Sequence, residues 1–354
     1  MSLNIKFLQG YNGDCILISF KNKKNATKNI LIDGGTGSTY TKKRKAGDLK
    51  KEILTLIDKK QVIDLLIITH IDDDHIGGIL KMFEDKKLDK SVIKKVWFNS
   101  GKLIAENFEP KRKFEERDIK LSIYKDKNTS VGQGVRLDDF LIDLGCWDRR
   151  IIKKGLIETF DNCKITVLSP NDTGLINLHR KWVREKPDSL ETSARDTDYH
   201  LSMQKLIESE DIFKEDKSIP NGSSIAFLLE IEDKRLLLLG DAHPNIIAEA
   251  LGELGYSNIK KLELDLFKIS HHASKGNTNK ELLELIDCDT YVTLTNSLKH
   301  GLPDKVTFAR IVKNNPEVTL LFNYDIVNKV FSEEDLNFGK FEAAYLNRES
   351  IILD

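Results

Sequence analysis

Residues 62–78 read Val62-Ile63-Asp64-Leu65-Leu66-Ile67-Ile68-Thr69-His70-Ile71-Asp72-Asp73-Asp74-His75-Ile76-Gly77-Gly78. The first half is an apolar run of strand length, and such a run is expected near the centre of its sheet with both faces covered. It stops at four metal-capable side chains within six residues: His70, Asp72, Asp74 and His75. Ligands of α/β sheets gather beyond the C-terminal ends of the strands. A tight loop at that place turns several of these groups inward, with Asp73 pointing away. Gly77-Gly78 lets the backbone turn and a helix, expected from about Ile79, pack closely. An ordinary solvated acidic loop would need neither the buried strand nor the glycines.

The pattern extends outward on both sides. Residues 4–9, 15–20 and 29–32 read as strands, the last stopping at Asp33-Gly34-Gly35. A helix is expected through Ile53, Leu54, Leu56 and Ile57, a strand at 96–98, a helix near 131–145 and a strand at 165–168. Strands follow at 225–230, 235–239, 264–269, 290–294, 317–323 and near 341–353. Helices are expected at 246–254, 279–286 and 304–313. Strands alternating with helices over the whole chain predict an α/β fold. Residues 172–218 differ: they are rich in charge, carry apolar residues at helical spacing and lack a strand signal. They are expected to form a helical insertion or cap within one domain spanning 1–354.

The chain has 354 residues, enough to bury a sizeable core. Lys and Arg number 55 against 56 Asp and Glu, a net charge of −1. That balance argues against a polybasic nucleic-acid clamp, although not against a local basic groove. Cys15, Cys146, Cys163 and Cys288 form no C-x-x-C pair, so neither a disulfide scaffold nor a cysteine zinc knuckle is expected. No signal-peptide pattern opens the sequence, and its apolar runs are too short to span a bilayer. The expectation is a cytoplasmic protein with no membrane association; the oligomeric state is not legible.

The loop H-x-D-x-D-H-I-G-G resembles the metallo-β-lactamase motif H-x-H-x-D-H, in the variant of the ComEC-type competence hydrolase domain. Gly13-Asp14, the ILIDGG stretch at 30–35, Ser169-Pro170, NGSS at 221–224, LLLLGDA at 236–242, KISHHAS at 268–274 and NSLKHGLP at 296–303 resemble further stations of that family in order. The resemblance covers about 1–100 and 219–310 well, 101–171 loosely and 172–218 not at all. It implies an αββα four-layer sandwich and a dinuclear metallohydrolase. By the same resemblance, His70 and Asp72 would hold one divalent ion and Asp74 and His75 a second. Asp241 would bridge them, and one of His271 and His272 would complete the second position. A hydroxide shared by the two ions would be the nucleophile.

Two departures bear on the metal. Asp72 stands where the family usually has a histidine, and Asn221 stands where most relatives place another. The implied ions are zinc or manganese, and the gain of oxygen ligands moves preference away from zinc. Three aspartates and a shared hydroxide would neutralise two divalent ions, where the usual motif leaves one positive charge. Lys275 is the expected compensating cation. Asp33, Asn221 and Ser274 are expected to support the ligands or meet the substrate, and His300 to donate a proton to the leaving group. Ser223 and Ser224 are candidates for phosphate contacts. The basic run 42–45 reads as a solvated loop, and Cys15 as core.

The leading functional expectation is a metal-dependent phosphodiesterase or nuclease, catalytic through Asp74, His75, Asp241 and His300. Its partner would be a phosphodiester substrate, nucleic acid included. Hydrolysis of C–N or C–O bonds, as by lactonases, is a second reading. A degenerate metal-binding scaffold, docking a protein partner through 172–218, is a third.

Overall fold

The computed structural model describes residues 2–108, 130–184 and 196–354. Two sheets face each other. The first has six strands in the spatial order Ile351–Leu353, Leu3–Phe7, Ile16–Lys21, Thr27–Ile32, Leu65–Ile67 and Val96–Trp97. The second has eight, in the order Phe341–Tyr345, Val318–Phe322, Thr290–Thr293, Leu266–Lys268, Lys234–Leu238, Ala226–Ile231, Cys163–Ser169 and Ile157–Phe160.

Side-chain alternation builds three apolar layers from these strands. Ile5, Ile18, Ile67 and Trp97 of the first sheet meet Ile165, Phe227, Leu238 and Val292 of the second in a central core. Leu17, Leu66 and Ile68 face the other way, against helices carrying Ile53, Ile79, Leu103 and Leu137. Leu237, Leu239 and Phe267 face a second helical layer through Ile247, Leu282, Phe308 and Ile311. Leu65–Ile67 and Leu236–Leu238 are covered on both faces, which is why they read as unbroken apolar runs. The order helix, sheet, sheet, helix is the expected four-layer sandwich.

In the first sheet the strands ending at Ile32, Ile67 and Trp97 run parallel. In the second, the five strands from Lys234–Leu238 to Phe341–Tyr345 run parallel. A backbone hydrogen bond from Ile225 to the Thr69 carbonyl, at 2.9 Å, closes the seam between the sheets. Their C-terminal ends therefore supply loops to one shared edge.

Several expectations shift. The helix expected from Ile79 begins at Asp73 and runs to Glu84, so His75, Gly77 and Gly78 lie in its first turns. The Asp72 carbonyl accepts from the amides of His75 and Ile76, and two aspartates in the first turn suit the positive helix end. Close approach explains the glycines at this position. A Cβ on Gly78 would lie 2.0 Å from the Gly34 carbonyl oxygen, and one on Gly13 would lie 1.7 Å from that of Asp74. The edge strand Ile157–Phe160, half-exposed, is an addition to the sequence reading.

The described residues of 172–218 pack in two places. Helix Asp172–Arg184 buries Leu175, Leu178 and Trp182 in the layer outside the first sheet, with Trp182 seated against Gly101 and Gly134. Helix Met203–Glu208 buries Met203 in the layer outside the second sheet. Residues 185–195 lie outside the described residues. The segment thus contributes to both helical layers.

Gly78→Ala is expected to destabilise the fold by about 1–3 kcal/mol or more, because backbone rather than a movable side chain opposes the added methyl. Urea unfolding checks this. An unchanged midpoint would contradict so close a contact between helix and strand end.

Candidate metal centre

Each histidine of the site has its Nδ1 side committed to the protein. His75 Nδ1 lies 2.7 Å from the Asp33 carboxylate, which can only accept. His272 Nδ1 lies 2.8 Å from the Leu294 carbonyl, also an acceptor. His70 Nδ1 lies 3.0 Å from the Thr69 hydroxyl, whose own proton goes to Asp33 at 2.6 Å. His271 Nδ1 lies 3.0 Å from Asn277 Oδ1. In the neutral imidazoles these partners place the proton on Nδ1, so that loss of the second proton exposes a lone pair on each Nε2.

The four Nε2 atoms converge on one carboxylate. From Asp241 they lie at 3.4 Å (His75), 3.7 Å (His70), 3.8 Å (His271) and 3.9 Å (His272). Asp72 stands 3.7 Å from His70 Nε2, and Asp74 stands 3.5 Å from His272 Nε2. Ligand atoms of His70, His75 and Asp241 fall within 4.8 Å of one another, as do those of Asp74, His75 and His272. The Nε2 atoms of His70, His75 and His272, and Oδ1 of Asp241, are buried without a hydrogen-bond partner among the described residues. Buried polar atoms are otherwise nearly always satisfied. Four such orphans facing one another, on nitrogen and carboxylate oxygen donors, fit divalent cations.

Local backbone conformation makes this convergence. His271, His272 and Ala273 have φ of 47°, 54° and 64°. Such left-handed non-glycine residues cost roughly 1–3 kcal/mol each. The turn brings both imidazoles to the Asp241 side of the strand end. Asp33 is also left-handed, with φ of 55°, and its carboxylate turns back onto Thr69 and His75.

The electrostatics reflect crowding of opposite charges. Burial works against charging His272, but Asp241, Asp14 and Asp74 outweigh it and lift its pKa to about 9. His75 rises for the same reason, through Asp241 and Asp33. Burial would raise Asp241, yet His75, His271 and His272 hold it well below the ordinary carboxylate value. Asp74 is also lowered, against burial, by His272 and His75. His70 goes the other way: burial and the neighbouring His75 bring it to about 4. Burial and Asp74 raise Asp72 to about 6.

The groups open on a cavity of about 350 Å³, lined by Asn12, Asp72, Asp74, Asn221, Asp241, His271, His272, Lys299 and His300 among others. Lys275 is not on that wall. It is exposed, its amide donates to Asp304, and it lines a separate cavity of about 870 Å³ beside Arg310. Lys299 holds the position expected of Lys275. Ser274 is buried and bonds within its own turn, to the amide of Gly276. Ser223 and Ser224 are also buried. Ser223 donates to the Pro220 carbonyl, and Ser224 accepts from the Asp241 amide, so neither hydroxyl is available to a phosphate. Asp73 is exposed and accepts from Gln133. Lys42 and Lys45 belong to a short exposed hairpin, with Lys42 over the Tyr11 ring.

Several contributors escape the sequence reading. Asn12 donates to Asp74 at 2.9 Å and Ser130 to Asp72 at 2.8 Å. Asp14, in the Gly13-Asp14 turn, lies 3.4 Å from His272 and pairs with buried Lys268. Asp216 accepts from Asn221 at 2.6 Å and from Asn277 at 3.2 Å. The Gly13-Asp14 turn and the lysine of KISHH were visible signals; Asp216 and Ser130, far off in sequence, had none.

Metal uptake by the metal-free protein is expected to release protons at pH 7, because His272, charged below about 9, must become neutral to bind. Affinity should therefore rise with pH up to about 9 and weaken further below about 6, where Asp72 also holds a proton. Titration calorimetry in buffers of different ionisation enthalpy checks this; proton-independent uptake would contradict it.

Residues 8–295 match the profile described as "Metallo-beta-lactamase superfamily". No curated protein matches the chain. Among solved structures, YhfI from Bacillus subtilis, a metallo-beta-lactamase fold protein, aligns at 10% identity and a TM-score of 0.43, over 100% of this chain and 99% of that one. Zn(2+)-bound PqqB from Methylobacterium extorquens aligns at 12% identity and 0.41, over 100% of both. CmlA, a diiron beta-hydroxylase from Streptomyces venezuelae, aligns at 11% identity and 0.40, over 99% of this chain; the chain spans 54% of CmlA. Among the described residues, no helix is long and apolar enough to cross a membrane. With its αββα layers and a histidine–aspartate cluster at the shared sheet edge, the chain belongs to the metallo-beta-lactamase superfamily.

Proposed function

We propose that this chain is a dinuclear metal-dependent hydrolase of phosphodiester bonds. The observation that carries the reading is the ring of imidazole Nε2 atoms around Asp241, opening on a cavity lined also by Lys299 and His300. His70 and Asp72 would serve one ion, Asp74, His75 and His272 the other, and Asp241 both. Two divalent ions would supply a water of lowered pKa and positive charge for phosphoryl oxygens. With three aspartates among the donors, manganese suits the site at least as well as zinc.

The chain's own residues would do the rest. Asp33, Thr69 and Leu294 hold the imidazoles in one tautomer, so no reorganisation is needed when ligands engage. Asn12 fixes the Asp74 carboxylate. Lys299 would meet the charge of an anionic diester, and His300 beside it would give a proton to the leaving oxygen. A cation on the wall favours a phosphodiester over a neutral lactone or amide, which brings no charge to be met. The likeness of the His70–Gly78 loop and the KISHHAS stretch to ComEC-type hydrolase domains supports the same substrate class, nucleic acid included.

Hydrolysis of bis-p-nitrophenyl phosphate with added Mn²⁺, Zn²⁺ or Mg²⁺ tests this. Wild-type turnover should require metal, and His75→Ala should lower it by more than about 100-fold, beyond the cost of losing an outer partner. Lys299→Ala should raise KM for the diester about 10-fold while sparing a neutral ester. Turnover of neutral esters alone would favour the C–O reading. Metal binding with no turnover of diesters, nucleic acids or esters would favour a scaffold.

A further inference from the structure

The donors around Asp241 divide unequally. On one side Asp74, His75 and His272 gather within a common 4.8 Å, and Asp241 makes a fourth donor. On the other side His70 and Asp72 stand 3.7 Å apart, and Asp241 makes only a third. A water shared by the two ions would bring these counts to five and four, so the second position is the one with room for another side chain. Two side chains border the gap: Asn221 and His271.

Asn221 can offer only its weaker amide oxygen, because its amide nitrogen donates to Asp216 at 2.6 Å and lies 3.3 Å from His271 Nδ1. His271 offers a ring nitrogen. Its Nε2 stands 3.8 Å from Asp241 Oδ2, an oxygen that His70 and His272 also face, at 3.7 and 3.9 Å; what marks His272 off is Asp74, 3.5 Å from its Nε2. Its tautomer is fixed at one remove. The amide nitrogen of Asn277 donates to Asp216 at 3.2 Å and to the Asp241 carbonyl at 3.1 Å, which leaves Asn277 Oδ1 to accept the proton of His271 Nδ1. The lone pair of His271 Nε2 is thereby presented to the cavity. Asp216 comes from the segment 172–218, is itself capped by the Ser218 amide at 2.9 Å, and lies 3.5 Å from His271 Nδ1.

Building on the metallohydrolase reading, we propose that His271 is the missing donor of the His70–Asp72 metal position, that His272 serves the other position alone, and that Asp216 acts through Asn221 and Asn277 as the positioning residue of His271. The adjacent histidines then divide between two ions rather than compete for one. The left-handed turn at His271–Ala273 lets consecutive imidazoles both reach Asp241 while only His272 is carried to Asp74 at 3.5 Å.

Metal content is the readout, measured by elemental analysis after dialysis and by calorimetric titration of the metal-free chain with Mn²⁺ and Zn²⁺. Wild type should bind two ions per chain. His271→Ala should bind one, with the affinity of the remaining site unchanged, and the double variant His271→Ala/Asn221→His should regain the second ion by supplying an imidazole from the other border of the gap. Asp216→Asn should keep both ions but weaken one about 10-fold, as loss of an outer partner does. Thermal unfolding of the metal-free variants establishes that each is folded, and His271→Gln replaces the alanine variant if it is not. A folded His271 variant that keeps two ions at wild-type affinity overturns the assignment alone. A wild-type chain that takes up no metal overturns the metallohydrolase reading and this assignment with it.

Discussion

One buried carboxylate sets the terms for the rest of the molecule. Asp241 is 3% exposed, and burying an ion costs several kcal/mol unless other charges and hydrogen bonds answer it. Its answer comes from imidazoles on three separate elements: the helix start at His75, the strand end at His70 and the turn at His271–His272. Those elements belong to two sheets, so the sheets must be locked at this edge. The Ile225–Thr69 backbone bond does so directly. So does Lys268, which grips Asp14 of the first sheet's loop and the Gly240 carbonyl of the second, one residue from Asp241. Removing Lys268 would leave Asp14 buried and charged beside His272, a fault in the frame rather than in the donors.

Four left-handed residues lie where this convergence demands them. Asp33 and the His271–Ala273 turn hold left-handed conformations that an unconstrained chain would leave. Each is pinned by hydrogen bonds to buried partners: Asp33 by Thr69 and His75, His272 by Leu294, His271 by Asn277. The cooperative core on either side of the seam carries that local cost. Left-handed backbone pinned at these four positions holds the imidazoles close together before any cation arrives.

The sequence exposed the framework more fully than the surroundings. Runs such as 65–68 and 236–239 announced buried strands because both faces of those strands are covered. His70, Asp72, Asp74 and His75 announced themselves because four donors within six residues are rarely incidental. The helix start was misplaced by several residues because Gly77 and Gly78 read as breakers; in the folded chain they are the only residues that fit against Gly34 and Gly37. Lys275 was taken for the cavity's cation because it follows the histidine pair closely. A turn of left-handed residues reverses the chain between them and aims Lys275 out of the cavity. Asp216 and Ser130 were illegible, since a carboxylate 55 residues from its imidazole and a serine 58 residues from its aspartate share no local pattern.

The charge argument comes out differently once side chains have positions. Counting formal charges makes the site neutral when two divalent ions and a hydroxide meet Asp72, Asp74 and Asp241, and therefore a weak attractor of anions. Position qualifies that count. Asp72 accepts a hydrogen bond from Ser130, and Asp74 one from Asn12, so part of each carboxylate's charge is turned aside from the cavity. Lys299 and His300 line the same cavity. On the proposed reading, a diester would meet them together with the metal positions. The field that matters to an anion is the local one at that opening, and Lys299, in a loop beyond strand Thr290–Thr293, bears on it more than the ligand count does; burial lowers the His300 pKa, so that ring adds little charge at neutral pH.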